Sequence, residues 1–77
     1  VSREGVVIVS RSIQAPTDYA LENMEARRTI NYLHSEDPAL KLKNFAGRRV
    51  IVTGEELLDR RWAHTPIIEV ETIRLVH

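Results

Sequence analysis

Arg48-Arg49-Val50-Ile51-Val52-Thr53-Gly54, and further on Thr65-Pro66-Ile67-Ile68-Glu69-Val70-Glu71-Thr72-Ile73-Arg74-Leu75-Val76, decide the fold class of this 77-residue chain. Both runs are rich in β-branched residues and mostly alternate apolar with polar, as a half-buried strand requires and a helix does not. They predict two long strands joined by a loop of roughly ten residues, which spans Glu55 to Thr65. The second run breaks phase: Ile68 and Val70 are even-numbered, Ile73 and Leu75 odd. One register cannot bury both pairs, so a bulge or sharp coil is predicted at Glu71 to Ile73. Gly54 allows a bend or a close approach of another backbone.

Upstream, Gly5-Val6-Val7-Ile8-Val9-Ser10-Arg11-Ser12-Ile13 reads as a first strand. Its four consecutive apolar residues suggest burial on both faces or a bulge at a barrel corner. Ala15-Pro16-Thr17-Asp18 then supplies turn chemistry. Tyr19 to His34 has two readings. As a helix, Asp18 caps it and Tyr19, Ala26, Ile30 and Leu33 fall near one face. As strands, Tyr19-Ala20-Leu21-Glu22 and Arg28-Thr29-Ile30-Asn31-Tyr32-Leu33 form a hairpin across Asn23-Met24-Glu25-Ala26. The hairpin carries more weight, because two or three isolated strands need partners to close a core. In the segment from Ser35 to Gly47, Asp37 suits an N-cap, Pro38 the first helical position and Gly47 the left-handed residue past the end. A helix of a turn or two is predicted there, beginning as late as Lys43, with Leu40 and Phe45 facing the sheet.

A chain this short makes one domain and buries only about 60% of the surface its unfolded form exposes. It has no cysteine, so neither a disulfide framework nor a thiolate metal site is available. Apolar packing must hold it, which favours a closed sheet over a loose pair of hairpins. No apolar run approaches the ~20 residues of a membrane span. Val1 is not a natural initiator, so any signal peptide would lie ahead of it, and the domain reads as one that can belong to a longer protein. Composition does not choose between cytoplasm and a periplasmic or secreted setting. Eleven basic residues balance eleven acidic ones, whereas proteins that grip nucleic acid through phosphates usually carry a marked basic excess.

Strand, strand, strand, short helix, strand, strand is the element order of the OB-fold, a five-stranded barrel. The stretch from Tyr32 to Val76 resembles the closing half of small bacterial OB-fold proteins. Tyr32-Leu33 ends a strand, a Leu-rich connector ends at Phe45-Ala46-Gly47, and the Arg49-Val50-Ile51-Val52-Thr53-Gly54 strand follows. A loop then leads to Pro66-Ile67-Ile68-Glu69-Val70-Glu71-Thr72-Ile73. The expected fold class is therefore all-β with one short helix, an OB-like barrel, with an SH3-like barrel as the alternative. The resemblance implies a ligand face on the second and third strands, flanked by the loops after the first strand and between the last two. It implies no particular ligand, since fold does not determine function.

The residues that could carry binding fall in two groups. In the last loop, Trp62 could stack on a ring while Arg60 or Arg61 meets an anion. The competing reading folds Leu57, Leu58 and Trp62 back to cap one barrel end, with the charges left in water. On the second and third strands, Tyr19, Tyr32, Arg27 and Arg28 could form a stacking platform with basic tips; otherwise the tyrosines are half-buried barrel residues. Phe45 reads as core. His34 with Glu36 and Asp37 fits no standard zinc spacing. No nucleophile context or glycine-rich phosphate loop is present. The expectation is a non-enzymatic interaction module, without metal or cofactor, of a bacterial protein of the envelope, a secreted protein or another compartment. Its partner is a protein or small polar ligand before nucleic acid; single-stranded nucleic-acid binding is the alternative.

Overall fold

The computed structural model describes residues 1–10 and 14–76. Five strands form in chain order: β1 (Ser2–Val9), β2 (Tyr19–Glu22), β3 (Thr29–His34), β4 (Arg49–Leu57) and β5 (Ile67–Leu75). They close into a barrel in the order β1-β2-β3-β5-β4, with β4 returning to β1. All neighbours are antiparallel except β3 and β5, which run parallel from Tyr32–Ile67 to His34–Glu69. This is the expected all-β fold, a small closed barrel consistent with the OB-like or SH3-like class. The segment from Tyr19 to His34 is a hairpin, not a helix.

The phase break in the last strand is a bulge. Thr53 pairs with Thr72 and Gly54 with Val70, so Glu71 is the extra residue. The even set, Ile68 and Val70, is buried, and after the bulge Ile73 and Leu75 pack against the same core. Gly54 sits at this irregularity for a steric reason: a Cβ there would lie 1.9 Å from the Glu69 carbonyl oxygen. β1 turns the barrel corner differently. Its first half pairs with β4 and its second half with β2, sharing Val6, and neither ladder is interrupted. Gly5 permits the corner, because a Cβ would lie 2.6 Å from the Glu22 carbonyl oxygen.

Several boundaries differ from the sequence expectation. β1 starts at Ser2 and ends at Val9; the expected continuation through Arg11, Ser12 and Ile13 lies outside the described residues. Its apolar run is not buried on both faces: Val7 is fully buried, Val6 and Ile8 half-buried, and Val9 60% exposed. β4 runs on to Leu57, so Glu55 and Glu56 belong to the strand and the loop is shorter than predicted. The predicted short helix is a single 3-10 turn, Leu42–Phe45, with Lys41 rather than Asp37 at its N-cap. Asp37 instead holds the turn before it, accepting from the Ala39 N–H at 2.9 Å. Gly47 does take the left-handed conformation, at φ +80.

The core is Val7, Leu21, Leu33, Leu42, Val50, Val52, Ile68 and Val70, edged by Tyr19, Ile30, Leu40, Phe45, Ile73 and Leu75. Among the described residues, the polar side chain most deeply placed in the interior is that of Asn31. Asn31 is 2% exposed, and its amide donates to Glu56 Oε2 at 2.9 Å and the Pro66 carbonyl at 3.3 Å. Arg3 reaches the same Glu56 oxygen at 3.6 Å. A buried amide left unpaired is costly, so this arrangement ties β3, β4 and the start of β5 together.

Candidate functional site

Side chains alternate across a strand, and Leu21 and Leu33 point into the core. Ala20 and Tyr32 therefore lie on the other side of the sheet, where Ala20 is buried and Tyr32 half-buried. Ile8 pairs with Ala20 and Ala20 with Tyr32, so the three stand in a row across β1, β2 and β3. Around this row is a depression of about 190 Å³, completed by Ser10, Ala15, Glu22, Arg27 and Thr29. The lining combines apolar groups with one cation, one carboxylate and hydroxyl groups. The Ser10 hydroxyl oxygen is buried and has no hydrogen-bond partner among the described residues.

Two loops shape the site. In the hairpin loop, the Asn23 side chain accepts from the N–H groups of Glu25 and Ala26, at 2.9 and 3.0 Å. The Arg27 N–H donates to the Asn23 carbonyl at 2.9 Å, and the Asn23 N–H to the Arg28 carbonyl at 2.7 Å. Closing this turn puts Arg27 at φ 51, a left-handed conformation that costs a non-glycine residue about 1–2 kcal/mol. Arg27 lines the depression; Arg28 is exposed beside it.

In the β4–β5 loop, a 3-10 turn spans Arg60–Trp62. Asp59 caps it: one carboxylate oxygen accepts from the Arg61 N–H at 2.9 Å, and the Asp59 carbonyl from the Trp62 N–H at 2.9 Å. The Arg61 guanidinium also lies 3.4 Å from that carboxylate. The Arg61 backbone N–H, then the guanidinium, hold the Asp59 pKa below its ordinary value. The turn carries Trp62 onto Tyr32, ring centroids 5.6 Å apart at 73°, edge to face. Such a pair contributes roughly 0.5–1.5 kcal/mol beyond its buried area.

The structure thus gathers Tyr32, Trp62 and Arg27 on one outer face. It does not bring Tyr19 there: Tyr19 packs at the margin of the core, on the opposite side of β2 from Ala20. Arg60 is exposed and makes no ion pair among the described residues, whereas Arg61 is drawn back to Asp59. Leu57 and Leu58 do not fold back over a barrel end; they are 45% and 69% exposed. His34 pairs through Nδ1 with Glu69 at 2.8 Å, a contact set by the parallel β3–β5 register.

Ser10, Glu22 and Thr29 were missed as lining residues. Their signal was the cross-strand register, which a single sequence does not display. Comparison of the chain with protein-family models, with curated proteins and with solved structures found no match.

Proposed function

We propose that this domain is a non-enzymatic OB-like interaction module that meets its ligand on the outer face of β1, β2 and β3. The observation that supports this most is the Tyr32–Trp62 pair beside a depression that Arg27 helps to line. An aromatic pair gives rigid, amphipathic contact area, and a guanidinium gives directional hydrogen bonds to a carboxylate or other anion. The ligand is a protein surface or a small polar molecule. The likeness of residues 32–76 to small bacterial OB-fold proteins supports a bacterial source and membership of that fold family.

Single-stranded nucleic acid is the second reading, because the same rings can stack on a base and Arg27 and Arg60 can meet phosphates. Equal numbers of basic and acidic residues weigh against it. Fluorescence anisotropy with labelled oligonucleotides separates the two. The leading reading expects no binding at low salt. Binding that weakens steeply as salt is added would establish the nucleic-acid reading in its place. For any protein partner identified, Trp62→Ala and Arg27→Ala should each weaken affinity about tenfold or more, as loss of a central aromatic or arginine does. Unchanged affinity in both variants would remove the site assignment.

A further inference from the structure

β5 carries a second surface that shares no residue with the Tyr32–Trp62 face. It pairs with β4 along its length but with β3 only from Ile67 to Glu69. Beyond that point no strand among the described residues lies beside its other edge. The Val76 N–H donates to the Arg49 carbonyl at 2.9 Å, which sets the hydrogen-bonding phase of the ladder. Arg74 and Thr72 are then bonded to Ile51 and Thr53, while Ile73 and Leu75 turn their N–H and C=O groups away from β4. No backbone group among the described residues pairs with them on that side.

Alongside this edge runs the β3–β4 connector, and a groove of about 450 Å³ lies between them. Its apolar lining is Ala39, Leu40, Phe45 and Ile73, with Asp37 and Lys41 also bordering it. We infer that the groove takes an extended peptide segment of another protein, added as a strand to the open edge of β5. The backbone chemistry identifies the occupant. Outward donors and acceptors at Ile73 and Leu75 recur about 6.8 Å apart, the two-residue repeat of a strand, and an extended chain answers them with acceptors and donors at the same repeat. The apolar lining receives one side chain of that segment. Asp37 and Lys41 differ in sign, so the segment that fits has a cationic and an anionic or polar residue near its apolar one. The connector borders the groove opposite β5.

Panning a random-peptide phage library against the intact domain tests this. Enriched peptides should share apolar–polar alternation and lack proline at their centre. Binding of a synthetic enriched peptide should slow hydrogen exchange at the Ile73 and Leu75 amides. Chemical synthesis of the chain with an N-methyl group on Ile73 removes one outward donor and leaves the ladder to β4 intact. Peptide affinity should then fall about tenfold. Ala39→Trp, which fills the groove from an exposed position, should abolish binding with the circular dichroism of the fold unchanged. The inference is overturned if no peptide is enriched, or if the two amides exchange at the same rate with and without peptide. It is likewise overturned if affinity responds to Trp62→Ala but not to the N-methyl and Ala39→Trp changes. That last outcome would leave the Tyr32–Trp62 reading standing, so the two fail separately.

Discussion

The β3–β4 connector and the β4–β5 loop use similar ingredients to opposite ends. Each has leucine, one large ring and one 3-10 turn. In the connector, Leu42 is buried and Leu40 and Phe45 pack on the core, so the segment helps close the barrel. At the end of β4 and in the loop after it, Leu57 and Leu58 stay exposed, and Trp62 turns onto an outer face. The difference lies in what each segment leaves and enters. The connector links β3 to β4, which are not neighbours in the barrel, so it must cross an end of it. The loop links β4 to β5, which are paired along their length, so it projects from the sheet instead. Apolar residues on a crossing segment become core; the same residues on a projecting one remain available to a partner.

The largest test strikes the frame from which both segments hang. Gly54→Ala would set a Cβ against the Glu69 carbonyl, and backbone cannot yield as a side-chain tip does. β4 and β5 must separate at the bulge, at a cost of roughly 3 kcal/mol or more. Urea denaturation should show this as a large fall in midpoint, and an unchanged midpoint would mean that the bulge is not as drawn. Leu42→Ala is the next effect. A buried leucine truncated in a packed core costs about 2–5 kcal/mol, with the lower part of that range expected beside a connector able to relax. Leu58→Ser, its counterpart in the projecting loop, should stay within about 0.5 kcal/mol of the parent. Equal losses from the two leucines would erase the distinction between the segments.

The sequence announced the crossing segment better than the projecting one. Alternation made β4 and β5 visible, and the phase break at Thr72 located the bulge, because a one-residue slip moves every later side chain to the other face. The punctuation at Asp37, Pro38 and Gly47 marked the connector, though it overstated the helix. Asp37 bonds within its own short turn, and the 3-10 turn begins only at Leu42. The parallel β3–β5 pairing left no such trace, since contact between strands separated by a whole connector is tertiary. The site shared that fate in part. Trp62, Tyr32 and Arg27 stood out by residue type, but which tyrosine faced outward depended on the pleat. Once β2 is seen to bury Leu21, Tyr19 two residues earlier shares its inward face. Glu55 and Glu56 also read as loop because charged residues rarely continue a strand inward. Yet Glu56 does so, partnered by Asn31 and Arg3.

The smallest effect belongs to the turn that aims Trp62. The Asp59 carboxylate accepts from the Arg61 N–H and lies beside the Arg61 guanidinium, and both lower its pKa. A group whose pKa is depressed in the folded state supports that state above its ordinary value and loses the contribution as pH falls through the depressed one. Asp59 should therefore hold the Arg60–Trp62 turn throughout the neutral and mildly acidic range. Protonation should release it only below the usual aspartate pKa of about 3.9. Trp62 is the sole tryptophan, so its fluorescence reports the change without a label. The expected trace is flat at neutral pH and moves in acid, while the amide circular dichroism of the barrel is still intact. Asp59→Asn can keep an oxygen at the cap but cannot titrate, so its trace should be flat in that acid range. Asp59→Ala should show the released signal at every pH. A parent trace that moves only together with barrel unfolding would mean that Tyr32 holds Trp62 by itself. The projecting loop would then owe its outward aim to the ring contact and not to its cap.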